Sequence, residues 1–386
     1  MSEELKYLYW LNSIEGIGFK SIAILKKYVG KAADVYKLTE NELSWFLNKR
    51  QISKLLLSRE VWDVDCEFAK LTQMRISFFP YGYKGYPAKL LNLPDPPAAI
   101  YVKGRLPSSG RTSVAVIGTR KCSGYGSAMA KQLGVALAQR GIQVVSGMAR
   151  GVDGIGQRAV CEAGGLTFAV LGCGVDIVYP PENQRLYEKI IMQGGVISEY
   201  FPGTKPNAGQ FPARNRIISG LSDAVVVVEA KEKSGTMITV DMALEQGREV
   251  YAVPGRLVDG LSSGCNRLLK QGANIVVSVE EFGDEMLALA KQKLISEMND
   301  LKKKTPPPPR LEEHGSLKEG DESSKLALTK EEKQVFACLD FTPRSSLQIS
   351  ALCPEIPYEC LLKMLVLFCL KGIASQMGAG SYCRTL

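Results

Sequence analysis

The chain has 386 residues, 45% hydrophobic and 23% charged, with a formal net charge of +8. It is too long for one compact domain and has an ordinary globular composition, so two or three folding units are expected, and the excess of positive charge admits a polyanionic partner. No run approaches the roughly 18 consecutive apolar residues of a membrane span. The start, Met1-Ser-Glu-Glu-Leu-Lys6, lacks the basic-then-apolar pattern of a secretory signal, so no membrane insertion and a cytoplasmic location are expected.

Residues 1–75 carry apolar positions at helical spacing, such as Leu5, Leu8, Tyr9 and Leu11, then Ile22, Leu25 and Tyr28, and predict a helical domain of helix-hairpin-helix or SAM-like type. Between the two sets lies Ile14-Glu-Gly-Ile-Gly18. It reads either as a hairpin whose amides approach a phosphate or as the plain turn of a small bundle. Residues 76–112 are rich in aromatics and proline and predict an irregular connector on the core, ending in a short strand at Ile100–Val102.

From 113 to 290 short Val/Ile runs alternate with helical segments, which predicts a Rossmann-like α/β domain with an open parallel sheet buried on both faces. Residues 295–325, with Lys302 to Lys304 and Pro306 to Pro309, are too polar to bury a core and predict a flexible linker. Residues 326–386 predict three helices and a glycine-turned hairpin, a winged-helix-like domain. Its last helix offers only Lys363 and Lys371 as cations, which favours packing or protein contact over groove reading.

Ten cysteines without a C-x-x-C pair read as reduced, apolar side chains, with no disulfide framework and no metal site expected. The single histidine, His314, falls in the linker stretch, so acid-base or triad chemistry built on histidine has no residue to use. No cofactor is expected: Gly124-Tyr-Gly126-Ser-Ala-Met129 lacks the third glycine of a dinucleotide fingerprint, and no Walker A sequence occurs.

In an open parallel sheet the loops leaving the carboxyl ends of the strands converge on one crevice. Those loops read Gly118-Thr119-Arg120-Lys121, Ser146-Gly147-Met-Ala-Arg150-Gly-Val-Asp153, Gly172-Cys-Gly174-Val-Asp176, Phe211-Pro-Ala-Arg214-Asn215-Arg216 and Ser234-Gly235-Thr236. Glycines let an anion approach the backbone, helix N-termini present free amides, and Arg120, Arg150, Arg214 and Arg216 supply countercharge. Phe211, fixed by Pro212 ahead of a helix, is placed to stack on a base. Leu257, Val258, Leu261, Leu268 and Leu269, near the end of this domain, offer apolar surface for a homodimer, with a core role as the plain alternative.

At these loops the sequence resembles the DNA-processing protein A (DprA/Smf) family from about Tyr86 to Phe282. The Gly-Thr-Arg loop, Ser146–Asp153, the run Phe211–Ser222, Ser234-Gly-Thr and Val253-Pro-Gly255 fall in the family's order. The resemblance implies a non-enzymatic protein that binds single-stranded DNA in the crevice, dimerises, and loads the RecA recombinase in transformation and homologous recombination. It points to Arg120, Phe211, Arg214 and Arg216 as DNA contacts. Two positions depart from the pattern. Gln157 stands where many relatives have histidine, and Ala208 where many have a basic residue, with Lys205 as a nearby substitute.

Two rival readings remain. Ser234-Gly-Thr236 partly echoes the loop of nucleotide phosphoribohydrolases, although Val228-Glu229-Ala-Lys precedes it and the double glycine is missing. The other rival is a pure protein adaptor acting through the flanking helical domains.

Overall fold

The amphipathic stretch at the start of the chain folds as six helices, α1 (Glu3–Ser13), α2 (Phe19–Tyr28), α3 (Ala32–Val35), α4 (Glu40–Leu43), α5 (Lys49–Val61) and α6 (Val64–Gln73). Capping boxes at Thr39 and Asn48 start α4 and α5. Leu8, Trp10, Leu11, Ile22, Leu25, Leu43 and Leu55 close into a core of their own. The computed structural model describes residues 3–304, 329–340, 344–370, 373–376 and 381–384, and the chain divides into two compact units, Met1–Pro306 and Pro307–Leu386.

The connector is more regular than its composition predicts. β1 (Ser77–Pro80) and β2 (Ala99–Gly104), with the single-turn α7 (Ala88–Leu91) between them, pair antiparallel and extend the main sheet. β1 has only four residues, ends in proline and meets its partner across a long excursion. No tight-turn signal announces such a pairing.

The Val/Ile runs and intervening helices then follow in strict alternation: β3 (Ser113–Ile117), α8 (Gly124–Gln139), β4 (Gln143–Ser146), α9 (Val152–Glu162), β5 (Thr167–Val170), α10 (Gln184–Gln193) and β6 (Gly195–Ser198). The second half is α11 (Gln210–Leu221), β7 (Ala224–Val227), α12 (Gly235–Glu245), β8 (Glu249–Ala252), α13 (Ser263–Lys270), β9 (Asn274–Ile275) and α14 (Val279–Lys304). The nine strands lie in the order β1-β2-β6-β5-β4-β3-β7-β8-β9, parallel from β6 to β9. Residues alternate between two faces: Val225 and Val227 enter the core on one side, Val226 and Val228 the core on the other. Strand order reverses between β3 and β7, which opens a crevice beyond their carboxyl ends.

Two expectations are corrected here. Leu268 is buried in the core, because α13 turns its apolar face to the sheet, so it is not free for a subunit interface, while Leu269 packs against that core and is half-buried. Leu261 is half-buried, whereas Leu257 and Val258 stay exposed. Helix α14 runs to Lys304, carrying regular structure into the start of the stretch read as linker. The remainder, residues 305–328 with His314, lies outside the described residues.

The second unit holds α15 (Lys330–Ala337), β10 (Arg344–Ser345), α16 (Ser346–Leu352), α17 (Tyr358–Leu370), β11 (Ala374–Gln376) and β12 (Ser381–Arg384). Its antiparallel sheet has the order β10-β12-β11, and Val335, Phe336, Leu361, Leu365 and Phe368 are buried among its elements. Lys371 and the glycine turn read at 378–380 lie outside the described residues.

Candidate nucleic-acid interface

The crevice is floored by two loops laced backbone to backbone. After β3, the Thr119 amide donates to the Glu229 carbonyl (2.7 Å), and the Thr119 carbonyl accepts from the Val152 amide at the start of α9 (3.2 Å). This approach leaves no room for a side chain at Gly151. A Cβ there would lie 2.3 Å from the Thr119 carbonyl oxygen, and its φ of +71° is the left-handed conformation that glycine adopts without strain. The lacing pushes Arg120 and Lys121 out to the apex, where both are exposed.

The loop after β4 turns inward. The Ser146 hydroxyl donates to the Val116 carbonyl (2.7 Å), and the Gly147 amide donates to the Asp153 carboxylate (3.1 Å). The Met148 amide donates to Gln157 Oε1 (3.0 Å), while the Met148 carbonyl accepts from Asn183 (2.9 Å). Gln157 is wholly buried, and its amide nitrogen also donates to Thr167 Oγ1 and the Phe168 carbonyl, each at 3.0 Å. The departure at this position is therefore a strut between loop, helix and sheet. Ser146 and Gly147 are buried with it; Gly147 lines a small pocket of the crevice beside Arg120, Tyr179, Phe211 and Arg214, whereas Ser146 shapes the crevice from behind.

The four arginines do not share one environment. Arg214 is only 5% exposed. Its guanidinium donates to the Gly147 carbonyl (3.1 Å), to the Val170 carbonyl and to Asn215 Oδ1 (3.2 Å). Burial pulls its pKa down to about 10, Asp153 working against that and Arg120 with it. Burial likewise raises the Asp153 carboxyl, against the charge of Arg214 and the Gly147 amide. Arg216 is held by Glu199 through two bonds of 2.6 Å and donates from Nε to the Asp95 carbonyl (2.8 Å). Arg150 is exposed but paired with Glu182. Among the described residues, Arg120, Lys121 and Lys205 are exposed cations without an ion-pair partner.

Of these four, Arg120 is the one that sits over a ring. Its guanidinium carbon lies 5.4 Å from the Phe211 centroid, and Phe211 stacks on Tyr179 at 5.4 Å and 27°. Gly172 lies against this stack, since a Cβ there would sit 2.8 Å from Phe211 Cδ1. Tyr179 escaped the sequence reading, although it stands before Pro180-Pro181 as Phe211 stands before Pro212; Tyr179 lies in the loop beyond β5, while Phe211 falls in the first turn of α11 and not ahead of the helix as its sequence suggests. The groove in front of the stack has a volume of about 690 Å³. Gly118, Thr119, Arg120, Phe211, Asn215, Ser234, Gly235 and Thr236 line it, the largely buried Arg214 reaches its floor, and Ala208 is on its wall; Lys205, three residues earlier, is exposed but is not among the lining residues.

The two helix starts facing this region differ. At α8 the buried Glu229 carboxylate takes the Ser123 amide (2.8 Å) and hydroxyl (2.7 Å), and Ser123 caps the Gly126 amide (3.1 Å). A protein carboxylate already fills the anion seat expected after β3. At α12 no side chain caps the first turn, and the buried Ser234 hydroxyl oxygen has no hydrogen-bond partner among the described residues.

A family model described as DNA recombination-mediator protein A matches residues 77–287. The chain is 41% identical over 220 residues to the DNA processing protein DprA of Bacillus subtilis, covering 56% of this chain and 74% of the relative. The X-ray structure of DNA processing protein A from Streptococcus pneumoniae superimposes with a TM-score of 0.64 at 34% identity, covering 75% of this chain and 98% of that one. The structure that describes the single-stranded DNA binding mode of DNA processing protein A from Helicobacter pylori aligns with a TM-score of 0.50 at 31% identity, covering 55% of this chain and 96% of that one. The matched span holds the whole parallel sheet and every loop of the crevice, and by it this chain belongs to the DNA recombination-mediator protein A family.

Proposed function

We propose that the protein binds single-stranded DNA in the crevice and hands the strand to the RecA recombinase, in recombination and in the uptake of transforming DNA. The observation that carries this reading is the stack of Tyr179, Phe211 and the Arg120 guanidinium at the mouth of the groove, beside the uncapped start of α12. Flat groups accept an unpaired base, and free amides with Arg120, Lys121 and Lys205 accept phosphates. A duplex buries its base faces and cannot use the stack. The family description, and the single-strand binding mode described for the Helicobacter pylori relative, support the same ligand.

Base cleavage is less well supported. Asp153, the carboxylate lining the groove, is buried and turned to the Gly147 amide, and Glu229 is engaged with Ser123. Binding without chemistry fits this arrangement better. Fluorescence anisotropy with labelled oligothymidylate and duplex of equal length tests the reading. Tighter binding of the single strand is expected, and a preference for duplex contradicts it.

A homodimer belongs to the same proposal. Leu257 and Val258 are 94% and 92% exposed, an apolar pair that a lone soluble chain gains nothing by presenting. Sedimentation should show two-chain particles at micromolar concentration for the native protein and single chains for Leu257→Lys with Val258→Lys. A native monomer under those conditions removes the interface.

A further inference from the structure

We propose that the N-terminal helices carry a second contact for the same single strand, on the outer face of α2 and the ring at Trp45. This rests on the reading that the ligand is single-stranded DNA. Lys20, Ile24, Lys27 and Tyr28 are exposed and recur at helical spacing, so they share one face of α2. Tyr28 is 65% exposed and stacks on Phe46 at 5.8 Å and 23°; Trp45, 77% exposed, meets the same Phe46 edge-on at 6.4 Å. Two exposed rings thus share one anchoring ring, Phe46.

Along α2 the charge has one sign. Residues 19–31 hold four lysines and no acidic residue, and the Lys27 ammonium lies 5.2 Å from the Tyr28 centroid. Ahead of Trp45, α4 carries the exposed Glu40 and also Glu42, whose carboxylate accepts from the Thr39 amide and hydroxyl at 2.7 Å each, so the cationic side of the contact is α2. Large apolar rings left in water call for a partner, and lysines interleaved with rings select one that offers π faces and negative charge together. A strand of unpaired nucleotides has both, whereas an apolar protein surface would leave the lysines uncompensated. The face is also firmly seated: Phe19, at the start of α2, packs edge-on against Tyr81 at 4.7 Å, and Lys26 donates to the Tyr83 hydroxyl at 3.2 Å.

The full-length protein carries its own probe. Of three tryptophans, Trp10 is wholly buried and Trp62 half-buried, so base stacking on the exposed Trp45 should quench fluorescence when oligothymidylate is added. Trp45→Phe should abolish that quenching with affinity little changed. Tyr28→Ala with Trp45→Ala should weaken a long oligonucleotide by about fivefold or more and shorten the length of strand occluded per protomer. Lys20→Gln with Lys27→Gln should flatten the slope of log affinity against log salt by about 1.4, for two phosphates. Because these side chains are exposed, circular dichroism should be unchanged. Strand binding by anisotropy with no tryptophan quenching, or an unchanged occluded length in the double alanine variant, overturns this second contact and leaves the crevice reading standing. No binding of any oligonucleotide by the native protein removes both.

Discussion

Arg214→Ala is expected to destabilise the α/β unit by roughly 3 kcal/mol, the cost of leaving buried polar and charged partners uncompensated. The guanidinium closes two backbone carbonyls, of Gly147 and Val170, and it faces the buried Asp153. Arg214→Lys should recover little, since a single ammonium cannot reproduce the planar fork that reaches both carbonyls. Chemical denaturation of both variants, compared with Arg120→Gln, measures this. A loss below about 1 kcal/mol, the range of an ordinary surface change, would mean that Arg214 is free to face the strand. Any loss of DNA affinity in Arg214→Ala should then be read through stability. On the proposed reading the counterion expected of Arg214 from the sequence falls to the exposed Arg120.

The pattern of the sequence held this distinction, though reading the motif as a block of cations obscured it. Arg214, Ile217, Ile218 and Leu221 recur at three, four and seven residues, one face of α11, and the three apolar members are core residues. Arg216 falls between stripes and meets Glu199, which no local rule pairs with it. The parallel strands were plain from their valines because a strand buried on both faces leaves no room for polar alternation. β1 was not, because its pairing is made far along the chain. Glu229 follows the apolar run of β7 directly, and an acid in that place signals a buried partner. That the partner is Ser123, at the start of α8, follows only from the adjacency of β3 and β7.

Phe211→Ala should weaken binding of single-stranded DNA by about 1 to 3 kcal/mol, the worth of one base–aromatic stack, with the salt dependence nearly unchanged, because stacking releases no ions. The ring is half-buried on Tyr179 and lies against Gly172, so a moderate loss of stability is also expected. Phe211→Tyr keeps the flat face and should bind as the native protein does. Tyr179→Ala should reproduce part of the loss by removing the ring that backs the stack. If Phe211→Ala lowers the melting temperature sharply while affinity stays intact, the ring is a core side chain and the stack is no platform.

Arg120 is where charge and stacking meet, and the salt dependence of its variant tests most directly whether the strand lies in the crevice. Affinity for oligothymidylate should be measured by anisotropy across a series of salt concentrations for the native protein and for Arg120→Gln, which keeps a planar polar group over Phe211 but removes the charge. The slope of log affinity against log salt is expected to flatten by about 0.7, one phosphate's worth for a single strand, with folding stability unchanged. An identical slope and affinity in the two proteins would place the strand elsewhere and contradict the assignment of the crevice.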